Sequence, residues 1–265
     1  MMNKSIRISM LHAALRHDDV LHNIALLEAL CLKSLSLEPD LVVMPELAIS
    51  GYEFFKEIGS EWIKEVVPKA IDKFSRLARE NNVALILGSP RYSEKSNQYY
   101  NAAIFIDEHG EIAGEHYKIN VLPGSEGWAS PGNDIKPIAW NGHKIGLLIC
   151  SDAYTVNISE ELAKQGADVL ISSAAWAPGF HGPNGEWEQR SRETGLCLFV
   201  CNRTGKEKNM VFNGGSSVVA AAGRRIVNYS HKQPAVLSID VKSSNWYPLS
   251  TQFNVLEIYE SMGQT

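Results

Sequence analysis

The sequence is poor in cysteine and has no arrangement of cysteine or histidine that is typical of a zinc site. Its 265 residues include four cysteines and eight histidines. No two cysteines form a CxxC pair, and no His/Cys cluster has ligand spacing. We therefore predict reduced thiols, a cytoplasmic location, and no metal or other cofactor. The cysteines are Cys31, Cys150, Cys197 and Cys201.

Long apolar runs and an excess of basic residues are also missing. No run approaches the length of a membrane span, and MMNKSIRISMLHAALRH is predicted to contain a first strand rather than a signal peptide. The net charge of -5 gives no electrostatic reason to bind nucleic acid or a membrane. Glycine-rich stretches such as NGGSS match neither a P-loop nor GxGxxG, so nothing favours nucleotide binding.

The chain does contain a regular alternation of apolar strands and amphipathic helices. Helices are predicted near residues 18–36, 60–81, 158–166 and 185–195, and Pro68 could break the second. This alternation is typical of layered α/β proteins. About thirteen predicted strands are too many for one open sheet. We therefore expect two mixed sheets packed face to face, with helices outside, in a single domain over residues 1–265.

Three predicted strands end at residues that can carry chemistry. Glu46 ends DLVVMPE, Lys118 follows GEHY, and Cys150 ends GLLIC. Ligands of α/β sheets bind where strands finish. Each residue alone has a simpler interpretation, as a rim carboxylate, a solvated lysine or a small core thiol. An acid, an amine and a thiol that met in space would form a reactive set.

Several motifs, taken together, resemble those of the nitrilase superfamily of carbon–nitrogen hydrolases. They are PELAISGY, HYKINVLPGSE and LLICSDAY, followed by RSRET and by CNRTG with FNGGSSVVAAAG. Their order matches the family, and the likeness covers nearly the whole chain. The resemblance implies a four-layer α-β-β-α sandwich and a triad of Glu46, Lys118 and Cys150. It also implies a second glutamate in the pocket, at Glu126.

The chemistry of amide cleavage agrees with this triad. A cysteine attacks carbon as a thiolate, so a neighbouring carboxylate such as Glu46 must take its proton. The ammonium of Lys118 and the backbone N–H of Ser151 would stabilise the oxyanion, and one such donor contributes about 3 kcal/mol. Glu46 would then protonate the leaving amine and activate the water that cleaves the thioester on Cys150. Glu126 would position Lys118 or that water.

The chain departs from the family pattern around its pocket. CSDAYTVNIS replaces a short Phe-Pro-Glu-like turn, and WAPGFHGPNGEW is an unusual loop that we expect at the pocket rim. Arg190 and Glu193 fit family positions that we interpret as structural. The candidate substrate contacts are Tyr52, Phe54, Asp152, Tyr154, Trp176 and His181. Tyr52, Phe54 and Tyr154 could instead lie at a dimer interface. The alternative for Trp176 is core packing, and the alternative for His181 is a solvated loop.

These residues predict a hydrolase that cleaves a linear amide or an N-carbamoyl amine through a cysteine thioester and releases ammonia. The alternatives are a nitrile hydrolase, a glutaminase that supplies ammonia to a partner, and a non-catalytic scaffold with the same fold. The short C-terminal segment favours amides over nitriles. The intact triad argues against a scaffold, and the scattered histidines argue against a metalloenzyme.

The expected partners are a small-molecule amide or carbamoyl substrate and further copies of the chain. The resemblance implies a homodimer or a larger homo-oligomer. The tail over residues 243–265 could lie across a partner subunit or could cap its own core. Its aromatic residues are Trp246, Tyr247, Phe253 and Tyr259.

Overall fold

The computed structural model describes residues 5–179 and 183–258 of the chain. The helices are α1 (Val20–Ser34), α2 (Phe55–Ile58), α3 (Ile63–Asn81), α4 (Val156–Lys164) and α5 (Glu186–Thr194). Short 3₁₀ helices lie at Leu35–Leu37 and Cys150–Tyr154. The strands are β1 (Ser5–His12), β2 (Leu41–Val43), β3 (Ala84–Ser93), β4 (Gln98–Ile106), β5 (Ile112–Tyr117), β6 (Ile138–Trp140), β7 (His143–Ile149), β8 (Val169–Ala174), β9 (Leu198–Asn202), β10 (Lys206–Glu207), β11 (Met210–Val211), β12 (Ser216–Ala221), β13 (Arg224–Ser230), β14 (Ala235–Lys242) and β15 (Asn254–Glu257).

Most of these strands form two mixed sheets. The first sheet has seven strands in the order β15-β14-β1-β2-β3-β4-β5, and the second has six in the order β13-β12-β9-β8-β7-β6. β10 and β11 form a separate small hairpin. Each large sheet has a parallel centre, β1-β2-β3 or β7-β8-β9, flanked by antiparallel strands. The predicted pair of mixed sheets is therefore confirmed.

The alternation of side chains along each strand divides the core into layers. Leu41 and Val43 belong to the apolar cluster between the two sheets, whereas Val42 belongs to the cluster beneath the first helices. α1 and α3 pack on the first sheet, and α4 and α5 pack on the second. Burial of both faces of each sheet produces the predicted α-β-β-α sandwich.

The two long helices lie where the sequence predicts them, but Pro68 does not end the second. It lies inside α3, which continues to Asn81. A proline within a helix removes one backbone hydrogen bond. The buried face of α3, which includes Val67, Ile71 and Phe74, compensates for this loss by packing on the sheet.

The first helix and the 3₁₀ helix after it form one stretch of 18 residues that is apolar on average. Val20–Leu37 has a hydropathy of 1.4 over 18 residues, so length and composition alone would let it cross a membrane. Core helices of globular proteins meet the same criterion, and one such segment is weak evidence for a membrane span. In this fold Ile24, Leu27 and Leu30 are buried in the cluster shared with the first sheet.

The described part of the C-terminal tail packs on its own chain. β15 pairs antiparallel with β14 at the edge of the first sheet. Trp246 is fully buried, with its ring 5.2 Å from that of His143. Trp246 therefore caps its own core, whereas Tyr247 is exposed and Tyr259 lies outside the described residues. An oligomer interface through the rest of the tail stays a prediction.

Candidate active site

Three loops that follow strand ends meet between the two sheets. Glu46 lies in the turn after β2, Lys118 directly follows β5, and Cys150 directly follows β7. The first two strands belong to one sheet and β7 to the other, so face-to-face packing brings the three residues into one site. A cross-sheet hydrogen bond supports this arrangement, because the Ala175 N–H donates to Glu46 Oε2 at 2.9 Å.

Lys118 is the centre of a buried charge cluster. Its Nζ lies 2.6 Å from Glu46 Oε1 and 2.9 and 2.7 Å from the two carboxylate oxygens of Glu126. All three side chains are fully buried. Burial alone would lower the pKa of Lys118, but the charges of Glu46 and Glu126 outweigh it and raise that pKa. Lys118 therefore stays an ammonium, and the cluster retains a fixed positive charge.

Asn101 is a further member of the cluster that the sequence reasoning missed. Its Nδ2 donates to Glu46 Oε1 at 2.7 Å and to Glu126 Oε1 at 2.6 Å. The amide thus holds the two carboxylates on either side of Lys118. The available signal was a polar residue in the middle of the apolar strand NQYYNAAIFI, where a buried amide needs partners.

Cys150 lies at a sharp turn from strand to 3₁₀ helix. Its φ is +42°, a left-handed conformation that is strained for a residue with a Cβ. Burial and the negative charge of Glu46 raise the pKa of the Cys150 thiol well above its ordinary value, although Lys118 opposes this shift. The resting sulfur is therefore a thiol, and nucleophilic attack requires proton transfer to a nearby base.

Asp152 anchors the turn that carries Cys150. Its Oδ2 accepts from Ile149 N–H at 2.9 Å and lies 2.8 Å from His116 Nε2. Its Oδ1 accepts the backbone N–H groups of Ile119 and Asn120 at 3.0 and 2.9 Å. Burial would raise the pKa of Asp152, but the hydrogen bond and charge of His116 lower it overall. This carboxylate links the segment after Lys118 to the segment after β7.

Ser151 and the predicted structural pair support the same turn. The Ser151 hydroxyl donates to the Asn120 carbonyl at 2.7 Å, so the side chain is engaged in the fold. On α5, Arg190 Nε donates to Glu193 Oε2 at 2.7 Å, and Arg190 Nη1 donates to the Ala153 carbonyl at 2.8 Å. These contacts hold the 3₁₀ helix after Cys150 against α5.

A cavity of about 700 Å³ opens at the sulfur of Cys150. Three predicted residues, Tyr52, Tyr154 and Trp176, lie on its wall, and the last two rings meet edge to face at 5.0 Å. The described lining residues that the sequence reasoning missed include Leu122, Ser125, Ala177, Pro178 and Met210. Leu122 and Ser125 belong to the HYKINVLPGSE motif, and Ala177 and Pro178 belong to the WAPGFHGPNGEW loop, but neither pattern shows which side chains face the cavity. Met210 belongs to no motif, and only the fold brings it to this wall.

The structure places two other candidate contacts, Phe54 and Asp152, away from the cavity wall. Phe54 is fully buried between the rings of Trp62 and Trp128, at 5.7 and 4.8 Å. The carboxylate of Asp152 accepts hydrogen bonds within the turn described above, and Asp152 is not among the described cavity-lining residues. The third candidate, His181, lies outside the described residues.

A buried ion pair holds the segment that carries Tyr52. Arg203 and Glu207 form a fully buried salt bridge. The Glu207 carboxylate also accepts the backbone N–H groups of Tyr52 and Glu53, each at 2.9 Å. Arg203 lies over the ring of Phe212 at 4.3 Å. CNRTGKE therefore has a physical role that sequence reasoning did not identify: it fixes one wall of the cavity.

The remaining cysteines do not take part in this site. All three are buried, and Cys201 donates to the Val43 carbonyl at 3.2 Å. Within residues 5–179 and 183–258, no group of three or more His, Cys, Asp or Glu side chains is placed to hold a metal ion.

Two curated proteins resemble the chain over most of its length. A probable nitrilase of Schizosaccharomyces pombe is 26% identical over 244 residues, covering 89% of this chain and 88% of that protein. An (R)-stereoselective amidase of a Pseudomonas species is 28% identical over 197 residues, covering 71% and 68% respectively.

A solved structure has the same fold. A mutant of the amidase from Nesterenkonia sp. AN1 superposes with a TM-score of 0.80 at 26% identity, over 89% of this chain and 93% of that chain. In that structure acrylamide has undergone Michael addition at the active-site cysteine. The sequence profile of the family described as carbon-nitrogen hydrolase matches residues 7–250. The chain therefore belongs to the carbon-nitrogen hydrolase family, within the nitrilase superfamily.

Proposed function

We propose that the protein is an amidase that hydrolyses a linear amide through a thioester on Cys150. The observation that carries this proposal is the buried Lys118–Glu46 pair, 2.6 Å apart, behind a cysteine that opens into a cavity. A nucleophile, a proton acceptor and a fixed cation are the groups that acyl transfer needs. The acrylamide adduct on the cysteine of the Nesterenkonia amidase supports the assignment of Cys150.

Acylation begins with the neutral thiol. Glu46 takes the proton of Cys150 as the sulfur attacks the amide carbon, and a C–S bond forms. The carbonyl oxygen becomes an oxyanion, which the buried Lys118 ammonium stabilises. Glu46 then gives its proton to the amide nitrogen, the C–N bond breaks, and ammonia leaves a thioester on Cys150.

Deacylation uses the same carboxylate. Glu46 takes a proton from a water molecule whose oxygen attacks the thioester carbon, so that a C–O bond forms. The C–S bond then breaks, the proton returns to the sulfur of Cys150, and a carboxylic acid leaves. The sum is one amide and one water converted to one acid and one ammonia.

The charge cluster explains why one carboxylate can act in both steps. Glu46 and Glu126 share the Lys118 ammonium and the Asn101 amide, so Glu46 can gain and lose a proton without leaving an unpaired buried cation. Burial and the charge of Glu46 raise the pKa of Glu126, against the lowering effect of Lys118. In this mechanism Glu126 positions Lys118 and exchanges no proton with the substrate.

The test is ammonia release by the wild type and by Cys150→Ala. The panel holds linear amides, N-carbamoyl amines, glutamine and nitriles. We expect release from amides, and a loss of about 10⁴-fold or more in kcat for Cys150→Ala. Cys197→Ala, which also removes a buried thiol but lies outside the cavity, is the matched control. Undiminished release by Cys150→Ala would contradict the mechanism.

A nitrile hydrolase is the second candidate, favoured by the name of the yeast relative. The same sulfur would add to C≡N and form a thioimidate before ammonia is released. Paired amides and nitriles with the same acyl group separate the two activities. A higher kcat/KM for the nitrile of each pair would favour this candidate over the amidase.

A further inference from the structure

Cys150 is the member of the triad that lies on the cavity wall. Glu46 and Lys118 are both fully buried and are not among the described lining residues. The carboxylate of Glu46 is already in contact with Lys118 and Asn101 at one oxygen and with the Ala175 N–H at the other. Both oxygens of Glu46 already have partners, so we expect little room beside them for a leaving group larger than ammonia.

The wall of the cavity is uncharged over its described part. Its apolar members include Leu122, Trp176, Pro178 and Met210. Two of its hydroxyl groups bond to each other, because Tyr52 Oη lies 2.9 Å from Ser125 Oγ. No arginine, lysine, aspartate or glutamate is among the lining residues within 5–179 and 183–258. A charged group on the substrate would meet no opposite charge on the described part of this wall.

The cost of such a mismatch is large. An ionised carboxylate that leaves water for an apolar wall without a partner loses far more free energy than an apolar group gains there. The negative side of the charge cluster adds to this effect, because two carboxylates and one ammonium lie behind Cys150. An anionic acyl group is thus disfavoured twice.

We propose that this cavity holds the uncharged, apolar acyl group of a primary amide whose leaving group is ammonia. The inference rests on the proposed amidase function and specifies its substrate class. It assigns specificity to the wall formed by Trp176, Met210 and Leu122, and it excludes acyl groups that carry a carboxylate, including those of glutamine-like amides.

The test compares two amides of equal size and shape. 4-Methylpentanamide ends in an isopropyl group, and succinamate ends in a carboxylate at the same position. We expect kcat/KM to be about 100-fold or more higher for 4-methylpentanamide. N-methylation of that amide should lower kcat/KM about tenfold or more, because the methyl group needs room beside Glu46.

Met210→Lys introduces a cation on the wall and tests the origin of the preference. The ratio of the two kcat/KM values should fall about fivefold or more, because the ammonium can pair with succinamate. Val211→Lys is the matched control. Val211 is the next residue of β11, is exposed and faces away from the cavity, so the ratio should stay at the wild-type value.

The outcomes separate this inference from the function beneath it. Cys150-dependent turnover of succinamate at least as fast as that of 4-methylpentanamide would overturn the apolar acyl site and leave the amidase intact. Equal turnover of the N-methyl amide would overturn the expected lack of room beside Glu46. No Cys150-dependent hydrolysis of any amide would overturn both the function and the inference. An equal change of the kcat/KM ratio in Met210→Lys and Val211→Lys would show that the cavity wall is not the cause of the substrate preference.

Discussion

Asn101→Leu tests the charge cluster without removing a member of the triad. The substitution removes two hydrogen bonds to carboxylates, at 2.7 Å to Glu46 and 2.6 Å to Glu126. A hydrogen bond to a charged group contributes about 1.5–3 kcal/mol. One pKa unit corresponds to about 1.4 kcal/mol. Loss of the bond to Glu126 should therefore raise further the pKa of Glu126, which burial already raises.

The direction of the change in the pH profile of Asn101→Leu follows from the protonation of Glu126. A raised pKa means that Glu126 takes up a proton at higher pH, and a neutral Glu126 holds the Lys118 ammonium less firmly. The acid limb of the kcat/KM profile should move to higher pH by about 1–2 units. The assay measures the rate of ammonia release at a series of pH values on both sides of neutrality, for the wild type and the variant in parallel.

The fold should tolerate the same substitution. The Oδ1 atom of Asn101 is buried and has no hydrogen-bond partner in the described structure. Leucine removes this unsatisfied acceptor, which stabilises the folded state by about 1–3 kcal/mol. This gain offsets much of the stability lost with the two hydrogen bonds to Glu46 and Glu126. Asn228→Leu, on an exposed strand position, is the control and should keep the wild-type profile. A folded Asn101→Leu protein with the wild-type pH profile would refute the reasoning.

Three further predictions concern the loops around the site. In Gly88→Ala, the new Cβ would lie 1.9 Å from the Pro45 carbonyl oxygen, so the turn that carries Glu46 must shift and kcat/KM should fall about 100-fold. Gly124→Ala has open space around its Cβ and should keep the wild-type kcat/KM in the same assay. Glu207→Gln leaves the buried Arg203 without its opposite charge, so urea unfolding should show a loss of about 3–5 kcal/mol in the free energy of unfolding, and KM should rise more than kcat falls. An unchanged free energy of unfolding would contradict the role of this ion pair. Burial alone would raise the pKa of Asp152, but the buried His116 lowers it overall, so ionised Asp152 stabilises the fold above about pH 3.9. This stabilisation is lost as the pH falls through the lower pKa of the folded state. Asp152→Asn should therefore show a smaller fall of Tm over that pH range, and parallel Tm curves for the two proteins would argue against this role of Asp152.

The order of elements followed from local patterns. α1 and α3 have apolar residues at helical spacing, and the hairpin of β4 and β5 has alternating strands around a tight turn. Such signals depend on near neighbours, so they can be interpreted without the fold. Pro68 was the exception, because packing of the apolar face of α3 outweighed a local breaker.

The residues of the proposed triad were also predicted from the sequence. Glu46, Lys118 and Cys150 each follow a strand, and motif order linked them before their distances were available. By contrast, Phe54 lies in an aromatic motif beside the site but packs inside the core between two tryptophans. Composition shows that a side chain is apolar, but it does not show which of two apolar environments surrounds it.

The sequence by itself determined the layered α/β class and the family, and it predicted the three residues of the proposed triad, because these depend on periodicity and on short motifs. Only the tertiary structure decided the rest of the site. Asn101 joins two carboxylates that lie 55 and 25 residues away in the chain, and Met210 meets Cys150 across one cavity. The physical reason is that hydrogen bonds and cavity walls form between side chains that sheet packing brings together, and no local pattern encodes that proximity.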